Sequence, residues 1–186
     1  GYILKTFGFH EYKIELSTKD SDHPEKYMGS NQEWETAQGM LARALKKGSL
    51  SYAEMPGEAV FYGPKIDIKL IDALGRVWQC TTIQFDFNLP KRFHVTYMGP
   101  DGMEHPVVMV HRALLGAIER FFGILIEHYG GNFPVWLAPT QVKVLPISDK
   151  LNPYAKTVHE GLLSQGIRSE LDDRSITVSS KIRDAE

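Results

Sequence analysis

The order of apolar and polar residues in the first part of the chain predicts one strand and one long helix. Residues 12–17 alternate apolar and polar side chains, which is the two-residue period of a half-buried strand. Ser30 and Glu33 then form an S-x-x-E capping box, and apolar residues follow at helical spacing until Gly48. We therefore expect a helix over about residues 31–47.

The middle of the chain is rich in β-branched and aromatic residues, which favour strands. Residues 65–72 and 77–87 flank a short turn and are expected to form a long antiparallel hairpin. Pro90 interrupts this pattern, because proline lacks the amide that a sheet requires. A further short strand is predicted at residues 94–98, and an apolar run follows at residues 107–115.

A helix and then a change of pattern follow. Apolar residues at helical spacing predict a helix that Gly130 and Gly131 end. Two prolines and the lack of periodicity in residues 132–139 indicate a domain boundary. Beyond it, residues 142–171 have the order strand, helix, strand, which is a βαβ pattern. The residues expected on the buried face of the helix before the boundary are Ile118, Phe121, Phe122, Leu125 and Tyr129.

These elements predict an α+β protein, with an antiparallel sheet and flanking helices first and the start of an α/β domain after them. The chain has 186 residues, is 42% hydrophobic and carries a formal net charge of −2. This composition excludes the disordered, collagen-like and coiled-coil classes. Because the whole chain has no basic excess, any contact with nucleic acid must come from local patches.

Cysteine content and hydropathy bear on the location of the protein. A single cysteine, Cys80, excludes an internal disulfide, and with no apolar leader it favours a reducing, cytoplasmic compartment. No apolar run reaches the roughly 18 residues of a membrane span, so no membrane partner is expected. The first residue is Gly1 and residues 180–186 have the pattern of an unfinished helix, so we expect a fragment.

Two places in the chain present cations that a ligand could use. Tyr62 and Lys65 flank a Gly-Pro turn at a strand start, where they either reach a common site or form a plain strand entry with a surface lysine. Arg120 has Gly116 and Gly123 at neighbouring positions on its helix. The guanidinium either uses that space to stack on a purine or pair with phosphate, or lies on the surface of an amphipathic helix.

Uncharged hydrogen-bonding residues occupy both faces of the second hairpin strand. Strict alternation places Gln79 and Thr81 on one face. The other face then carries Cys80, Thr82 and Gln84. A bound polar ligand and simple solvent exposure both explain these residues, because buried amides must find partners.

One histidine follows an apolar run and is a candidate metal ligand. From the residues alone, His111 fits either a hydrogen-bonded core histidine or a ligand. The other histidines and the cysteine have no metal-binding spacing with it, so we expect no complete zinc site within the chain.

Three segments carry a resemblance to a known family. They read GEAVFYGPKID at residues 57–67, WQCTTIQFDF at residues 78–87 and VMVHRALLGAIERFFG at residues 108–123. In this order and spacing they closely resemble the bacterial-type threonyl-tRNA synthetases, which are class II aminoacyl-tRNA synthetases. The same resemblance makes residues 107–115 a strand.

The resemblance also implies a domain organisation. Residues 1–132 look like the C-terminal part of a class II catalytic domain. Residues 133–140 are then a linker, and residues 141–186 are the truncated start of an anticodon-binding domain. In this family the parent protein is expected to be a homodimer.

The resemblance implies an aminoacyl-tRNA ligase. Such an enzyme uses ATP with Mg²⁺ to convert threonine to threonyl-adenylate, and transfers the threonyl group to the 3′ end of its tRNA. Zn²⁺ in this family binds the amino and hydroxyl groups of threonine and so rejects valine. The residues that the resemblance assigns are Lys65, Gln84 and Arg120 for catalysis; Tyr62, Gln84 and Cys80 for substrate binding; Gln79, Thr82 and Arg120 for ATP; and His111 for zinc.

The sequence also departs from the family pattern. The family's other two zinc ligands and its motif-two arginine have no counterpart here, so we expect the isolated chain to be inactive. Residues 173–183 keep Arg174, Lys181 and Arg183 but lose an Asn, a Glu, a Lys and a Gly, which predicts altered detail in anticodon recognition. The alternatives are a non-catalytic paralogue that acts as a tRNA-binding or regulatory module, and another class II synthetase such as the prolyl enzyme.

Overall fold

The computed structural model describes residues 1–186, which divide into two compact units, residues 1–128 and 129–186. The helices and strands up to the end of the first unit are α1 (Tyr2–Thr6), β1 (Tyr12–Thr18), α2 (Asn31–Lys47), β2 (Ala53–Pro56), β3 (Lys65–Ile71), β4 (Val77–Asp86), α3 (Asn88–Arg92), β5 (Thr96–Met98), β6 (Glu104–Pro106), β7 (Met109–Ala113) and α4 (Ile118–Tyr129). Those of the second unit are β8 (Val142–Val144), α5 (Asn152–Ser164), β9 (Ser169–Leu171) and α6 (Val178–Ala185). None of the helices has the length and apolar character that crossing a membrane requires.

A five-stranded sheet forms the centre of the first unit. Its strand order is β2-β1-β3-β4-β7, and every neighbouring pair is antiparallel except β1 with β2. The predicted hairpin is confirmed as β3 and β4, which pair from Lys65 opposite Gln84 to Ile71 opposite Val77. The predicted α+β class with an antiparallel sheet and flanking helices is therefore confirmed.

Helix α2 covers one face of this sheet, and the predicted helix is confirmed at residues 31–47. Its start is fixed by a capping box, in which the Ser30 hydroxyl accepts from the Glu33 amide and the Glu33 carboxylate accepts from the Ser30 amide. The buried residues that join the helix to the sheet are Ile14, Leu16, Leu41, Leu45 and Ile66. Because strand side chains alternate, this core leaves the opposite face of β3 to polar residues.

The buried face of α4 differs from the prediction. Phe121, Ile124 and Leu125 are buried, whereas Ile118 and Phe122 are 58% and 55% exposed. The aromatic residues of the N-terminal segment make edge contacts with the Phe121 ring, so the packed stripe is centred there. Residues four apart follow one line along a helix. Phe121 and Leu125 form the buried line, and Ile118 and Phe122 form a neighbouring line that is exposed.

Short elements between β4 and α4 also differ from the prediction. Pro90 lies inside the first turn of α3, where the missing amide costs little, and does not simply end the strand. The strand predicted at residues 94–98 is confirmed as β5 but pairs with β6, which the sequence did not reveal. Strands of three residues are too short to show a two-residue period.

The second unit contains the predicted βαβ pattern, because β8 and β9 pair in parallel on either side of α5. Lys181 is only 2% exposed, and its ammonium donates to the carbonyl oxygens of Pro146 and Asp172 at 3.1 and 3.0 Å. Arg174 pairs with the carboxylates of Asp172 and Asp184. These two retained basic residues therefore stabilise the unit internally.

Asp72, at the turn of the β3–β4 hairpin, is a buried carboxylate with several donors. It accepts from the Leu74 amide at 2.9 Å, from the Arg76 amide and guanidinium at 2.8 and 2.5 Å, and from the Trp78 indole at 2.8 Å. Burial alone would raise the pKa of Asp72, but these hydrogen bonds outweigh it and lower the pKa to about 2.

We predict that Asp72→Asn lowers the free energy of unfolding at pH 7. The folded pKa lies below the ordinary value of 3.8, so the carboxylate stabilises the fold above about pH 4. That contribution is lost as the pH falls towards 2, where wild type and variant converge. Urea unfolding followed by circular dichroism at several pH values measures this, with the exposed Asp22→Asn as a control that leaves stability unchanged. A difference that stays constant over this pH range would contradict the prediction.

Candidate active site

Polar side chains form a row on the face of the sheet opposite α2. The register pairs Lys65 with Gln84 and Asp67 with Thr82 across β3 and β4. It also pairs Gln84 with His111 across β4 and β7. Directly paired residues lie on the same face, so the structure brings these five side chains together.

An irregularity in β4 adds Gln79 to this row. The register leaves Cys80 unpaired, which is the pattern of a β-bulge. The extra residue turns Gln79 onto the face of Thr82, and Gln79 Nε2 donates to Thr82 Oγ1 at 3.1 Å. Strict alternation grouped Gln79 with Thr81, and Cys80 with Thr82 and Gln84. That prediction is wrong for Gln79, because the bulge interrupts the alternation, whereas Thr82 and Gln84 share a face as predicted.

Asp67 joins several predicted site residues, although the sequence did not single it out. Its Oδ1 accepts from Gln79 Nε2 and from Thr82 Oγ1, both at 2.7 Å. Its Oδ2 accepts from Lys65 Nζ at 2.6 Å. The only signal in the sequence is an acidic residue between two isoleucines in a predicted strand.

Tyr62 and Gln84 meet at the entry to β3. The Tyr62 hydroxyl donates to Gln84 Oε1 at 2.9 Å. Burial, and to a smaller extent the negative charge of Asp86, raise the pKa of Tyr62, so the phenol keeps its proton. With its carbonyl oxygen engaged in this way, Gln84 has its amide donors available for a ligand.

His111 is held by a second buried carboxylate that the sequence did not reveal. His111 Nε2 lies 2.9 Å from Asp86 Oδ2, and the imidazole is 38% exposed. Asp86 also accepts at 2.9 Å from the amides of Asn88 and Leu89, which are the first two residues of α3. Burial raises the pKa of Asp86, but these hydrogen bonds outweigh it and hold the pKa below its usual range. The charged carboxylate therefore fixes the imidazole from one side.

Arg120 lies in the first turn of α4 and is exposed. One guanidinium nitrogen donates to the Gln79 carbonyl at 3.3 Å, which brings the cation to the same end of β4 as the bulge. Gly123 faces open space, as expected. Gly116 does not: its φ is +69°, and a Cβ there would lie 2.8 Å from the Cys80 carbonyl. Glycine at 116 thus allows close approach to the bulge.

A cavity of about 380 Å³ opens beside the polar row. The residues that line it are Thr82, Gln84, His111, Arg112 and Ala113. Cys80 is not among them, because its side chain is buried, and burial raises the pKa of the thiol. The chain contains no cluster of three or more His, Cys, Asp or Glu side chains that could hold a metal ion.

Two family models match the chain. Residues 2–129 match the tRNA synthetase class II core domain (G, H, P, S and T), and residues 141–186 match an anticodon binding domain. The first match covers more than half of the chain.

Curated relatives match over nearly the whole chain. It is 58% identical to the threonine–tRNA ligase of Fusobacterium nucleatum over 99% of its residues, and 54% identical to that of a Sulfurihydrogenibium species over 98%. The matched region covers 29% and 28% of those two proteins, so the chain spans less than a third of their length. A solved structure titled as the RNA binding domain of threonyl-tRNA synthetase from Cryptosporidium parvum aligns with a TM-score of 0.89 and 40% identity, over 99% of this chain and 45% of that one.

We predict that Gly63→Ala disrupts the site through the backbone. A Cβ at this position would lie 1.9 Å from the Phe85 carbonyl oxygen, so β4 must move and separate Tyr62 from Gln84. We expect the free energy of unfolding to fall by about 3 kcal/mol, at the upper end for overpacking. Urea unfolding measures it.

Gly39→Ala is the matched control in the same unit. Its Cβ would meet nothing closer than an Arg43 side-chain nitrogen at 3.6 Å, and alanine is the better helix former. We expect a gain of up to about 1 kcal/mol. Equal stability of the two variants would contradict the clash.

Proposed function

Because the chain belongs to the class II tRNA synthetase family, we propose that it is part of a threonine–tRNA ligase. Residues 1–132 would form the C-terminal part of the catalytic domain, and residues 141–186 the start of the anticodon-binding domain after a linker at 133–140. The observation that carries the proposal is the hydrogen-bonded polar row on one sheet face, in a chain more than half identical to enzymes of that name.

The proposed reaction has two steps. The carboxylate oxygen of threonine attacks the α-phosphorus of ATP, and pyrophosphate leaves, which gives threonyl-adenylate. A hydroxyl of the terminal adenosine of the tRNA then attacks the threonyl carbonyl carbon, and AMP leaves. Both steps build negative charge on oxygen, so fixed cations and hydrogen-bond donors are the groups that accelerate them.

The ATP side of the proposed site lies around the bulge. Arg120 would stack on the adenine ring and offset phosphate charge, since a guanidinium is planar and permanently charged. Gln79 and Thr82 would bind the ribose and the adenylate. Lys65 would approach the reacting phosphate and the threonine carboxylate, and its contact with Asp67 supports a fixed ammonium there. Mg²⁺ bound with ATP would neutralise further phosphate charge.

The threonine side lies at the other end of the row. Tyr62 would contact the amino group, and Gln84 would support the adenylate and the end of the tRNA. Their mutual hydrogen bond supports a shared position. Cys80 is buried, so we propose that it acts through the shape of the bulge and makes no direct contact.

One residue of this chain, His111, is suited to be a ligand of a zinc ion. Asp86 holds Nε2 of His111, which leaves Nδ1 as the coordinating nitrogen, and a carboxylate behind a metal-bound histidine is a recurring arrangement. The remaining ligands would come from outside this chain. When bound, zinc would distinguish the threonine hydroxyl from the methyl of valine, which an apolar pocket does poorly.

The location, the oligomeric state and the tRNA contacts of the parent protein are also proposals. We propose that it acts in the cytoplasm, as a homodimer, with tRNA contacts in residues 141–186. The non-catalytic paralogue is the competing hypothesis, and an activity assay separates the two.

We predict that the full-length protein containing this chain exchanges pyrophosphate into ATP when threonine is present, and that the isolated 186-residue chain does not. Lys65→Met in the full-length protein should lower kcat/KM for ATP by about 10²–10³, the cost of removing one transition-state donor. Lys47→Met, at the exposed end of α2, is the matched control and should have no effect. No threonine-dependent exchange by the full-length protein would favour the paralogue.

A second prediction concerns zinc content, measured by atomic emission. Purified full-length protein should contain one zinc per chain, and His111→Ala should lose it, because its imidazole is the proposed ligand. His105→Ala is the control, since His105 is also paired with a carboxylate, that of Asp101, but lies on the β5–β6 hairpin. Zinc retained in His111→Ala would contradict the proposed coordination.

A further inference from the structure

Asp67 is a buried carboxylate, and its side chain forms hydrogen bonds with residues of the proposed site. It is 2% exposed, and its donors are the side chains of Lys65, Gln79 and Thr82. Burying a carboxylate is costly unless it is fully hydrogen-bonded. We propose that Asp67 is a positioning residue, which orients the ATP-binding side chains without touching the substrate. This inference rests on the proposed function.

The first step of the argument concerns the Gln79 amide. An ionised carboxylate only accepts hydrogen bonds, so Gln79 must turn its Nε2 towards Asp67. The same nitrogen also donates to Thr82. Gln79 is exposed, and Asp67 and Thr82 both engage its Nε2 within the protein. Its carbonyl oxygen is therefore turned away from Asp67 and is available to accept from a donor such as a ribose hydroxyl.

The second step concerns the Thr82 hydroxyl. Its proton goes to Asp67 Oδ1 at 2.7 Å, so the oxygen accepts from Gln79 and has acceptor capacity only for a ligand. One carboxylate oxygen therefore orients the polar groups of two neighbouring side chains. The acceptor oxygens that these side chains present suit the hydroxyl groups of a ligand.

The third step concerns Lys65. The other carboxylate oxygen of Asp67 holds the Lys65 ammonium at 2.6 Å, and that side chain is 13% exposed. An ammonium has three donors, so two remain for a ligand anion. Asp67 thus separates the functions of the two ends, with acceptors for the ribose on one side and a fixed cation for phosphate on the other.

Two of the three partners of Asp67, Gln79 and Thr82, are proposed for ATP alone, and the third, Lys65, is proposed for both the phosphate and the threonine carboxylate. Asp67 makes no side-chain hydrogen bond to the other residues proposed for threonine. Tyr62 and Gln84 bond to each other, and His111 bonds to Asp86. A change at Asp67 should therefore affect ATP more than threonine. A purely structural carboxylate would not produce this difference.

Asp72 provides a matched comparison on the same hairpin. It is also buried and also accepts several hydrogen bonds, but from Arg76, Trp78 and the turn backbone. Loss of its charge should lower stability without changing substrate affinity.

The test compares Asp67→Asn and Asp72→Asn in the full-length synthetase by ATP–pyrophosphate exchange, with thermal unfolding measured in parallel. An asparagine has one acceptor oxygen and cannot serve both Lys65 and the Gln79–Thr82 pair. We expect Asp67→Asn to raise KM for ATP about tenfold or more, with KM for threonine within about twofold of wild type. Asp72→Asn should lower the melting temperature and leave both KM values unchanged.

Two results would overturn the inference while the proposed function stands. One is threonine-dependent exchange in which Asp67→Asn lowers only the melting temperature, as Asp72→Asn does. The other is an equal rise of both KM values. A wild-type protein without threonine-dependent exchange would instead overturn the proposed function and this inference with it. If Asp67→Asn does not fold, Asp67→Glu repeats the test, because it keeps the charge and displaces it by one methylene; a rise in KM for ATP alone is again expected.

Discussion

The β-bulge at Cys80 is the constraint on which the polar face depends. In a regular strand, residues three apart lie on opposite faces, so Gln79 and Thr82 could not both reach Asp67. The extra residue turns Gln79 to that face and lets one buried carboxylate meet its donors. The bulge also lies against the segment that precedes α4, because the Cys80 carbonyl approaches Gly116 too closely for a Cβ. Arg120, in the first turn of α4, donates to the Gln79 carbonyl beside the bulge.

The pairing register of the strands keeps apolar side chains on one face of the sheet and the polar row on the other. Helix α2 packs on Ile14, Leu16 and Ile66, while the residues next to them in sequence point the other way. A slip of β3 by one residue relative to β4 would turn the side chains of β3 to the opposite face, which would bury Lys65 against α2 and separate it from Gln84. The hydrophobic core therefore specifies the register, and the register in turn brings the polar row together. Stability and site geometry depend on the same pairing.

Local patterns made part of this structure predictable. The capping box at Ser30, the hairpin and the βαβ order are each determined by residues close in sequence. The bulge has no sequence pattern that marks it, and α3 and β6 are too short for a helical or a two-residue period to reveal them. Resemblance to a family indicated Lys65 and His111 but not the carboxylates behind them. Asp67 and Asp86 act through neighbours, so only coordinates reveal which side chains they hold.

The polar side chains at the two ends of β4 differ, so the two ends of the proposed site differ in chemistry. Gln84 lies beside Lys65 and His111, whereas Gln79 lies beside the Arg120 guanidinium. Five residues of strand span about 17 Å at roughly 3.3 Å per residue, and the bulge shortens this distance. An aminoacyl-adenylate is an elongated molecule with an amino acid at one end, a phosphate between and a base at the other. A strand that presents different chemistry at each end can distinguish these parts by position, and the hydrogen bonds of Asp67 and Asp86 hold the side chains that create this order.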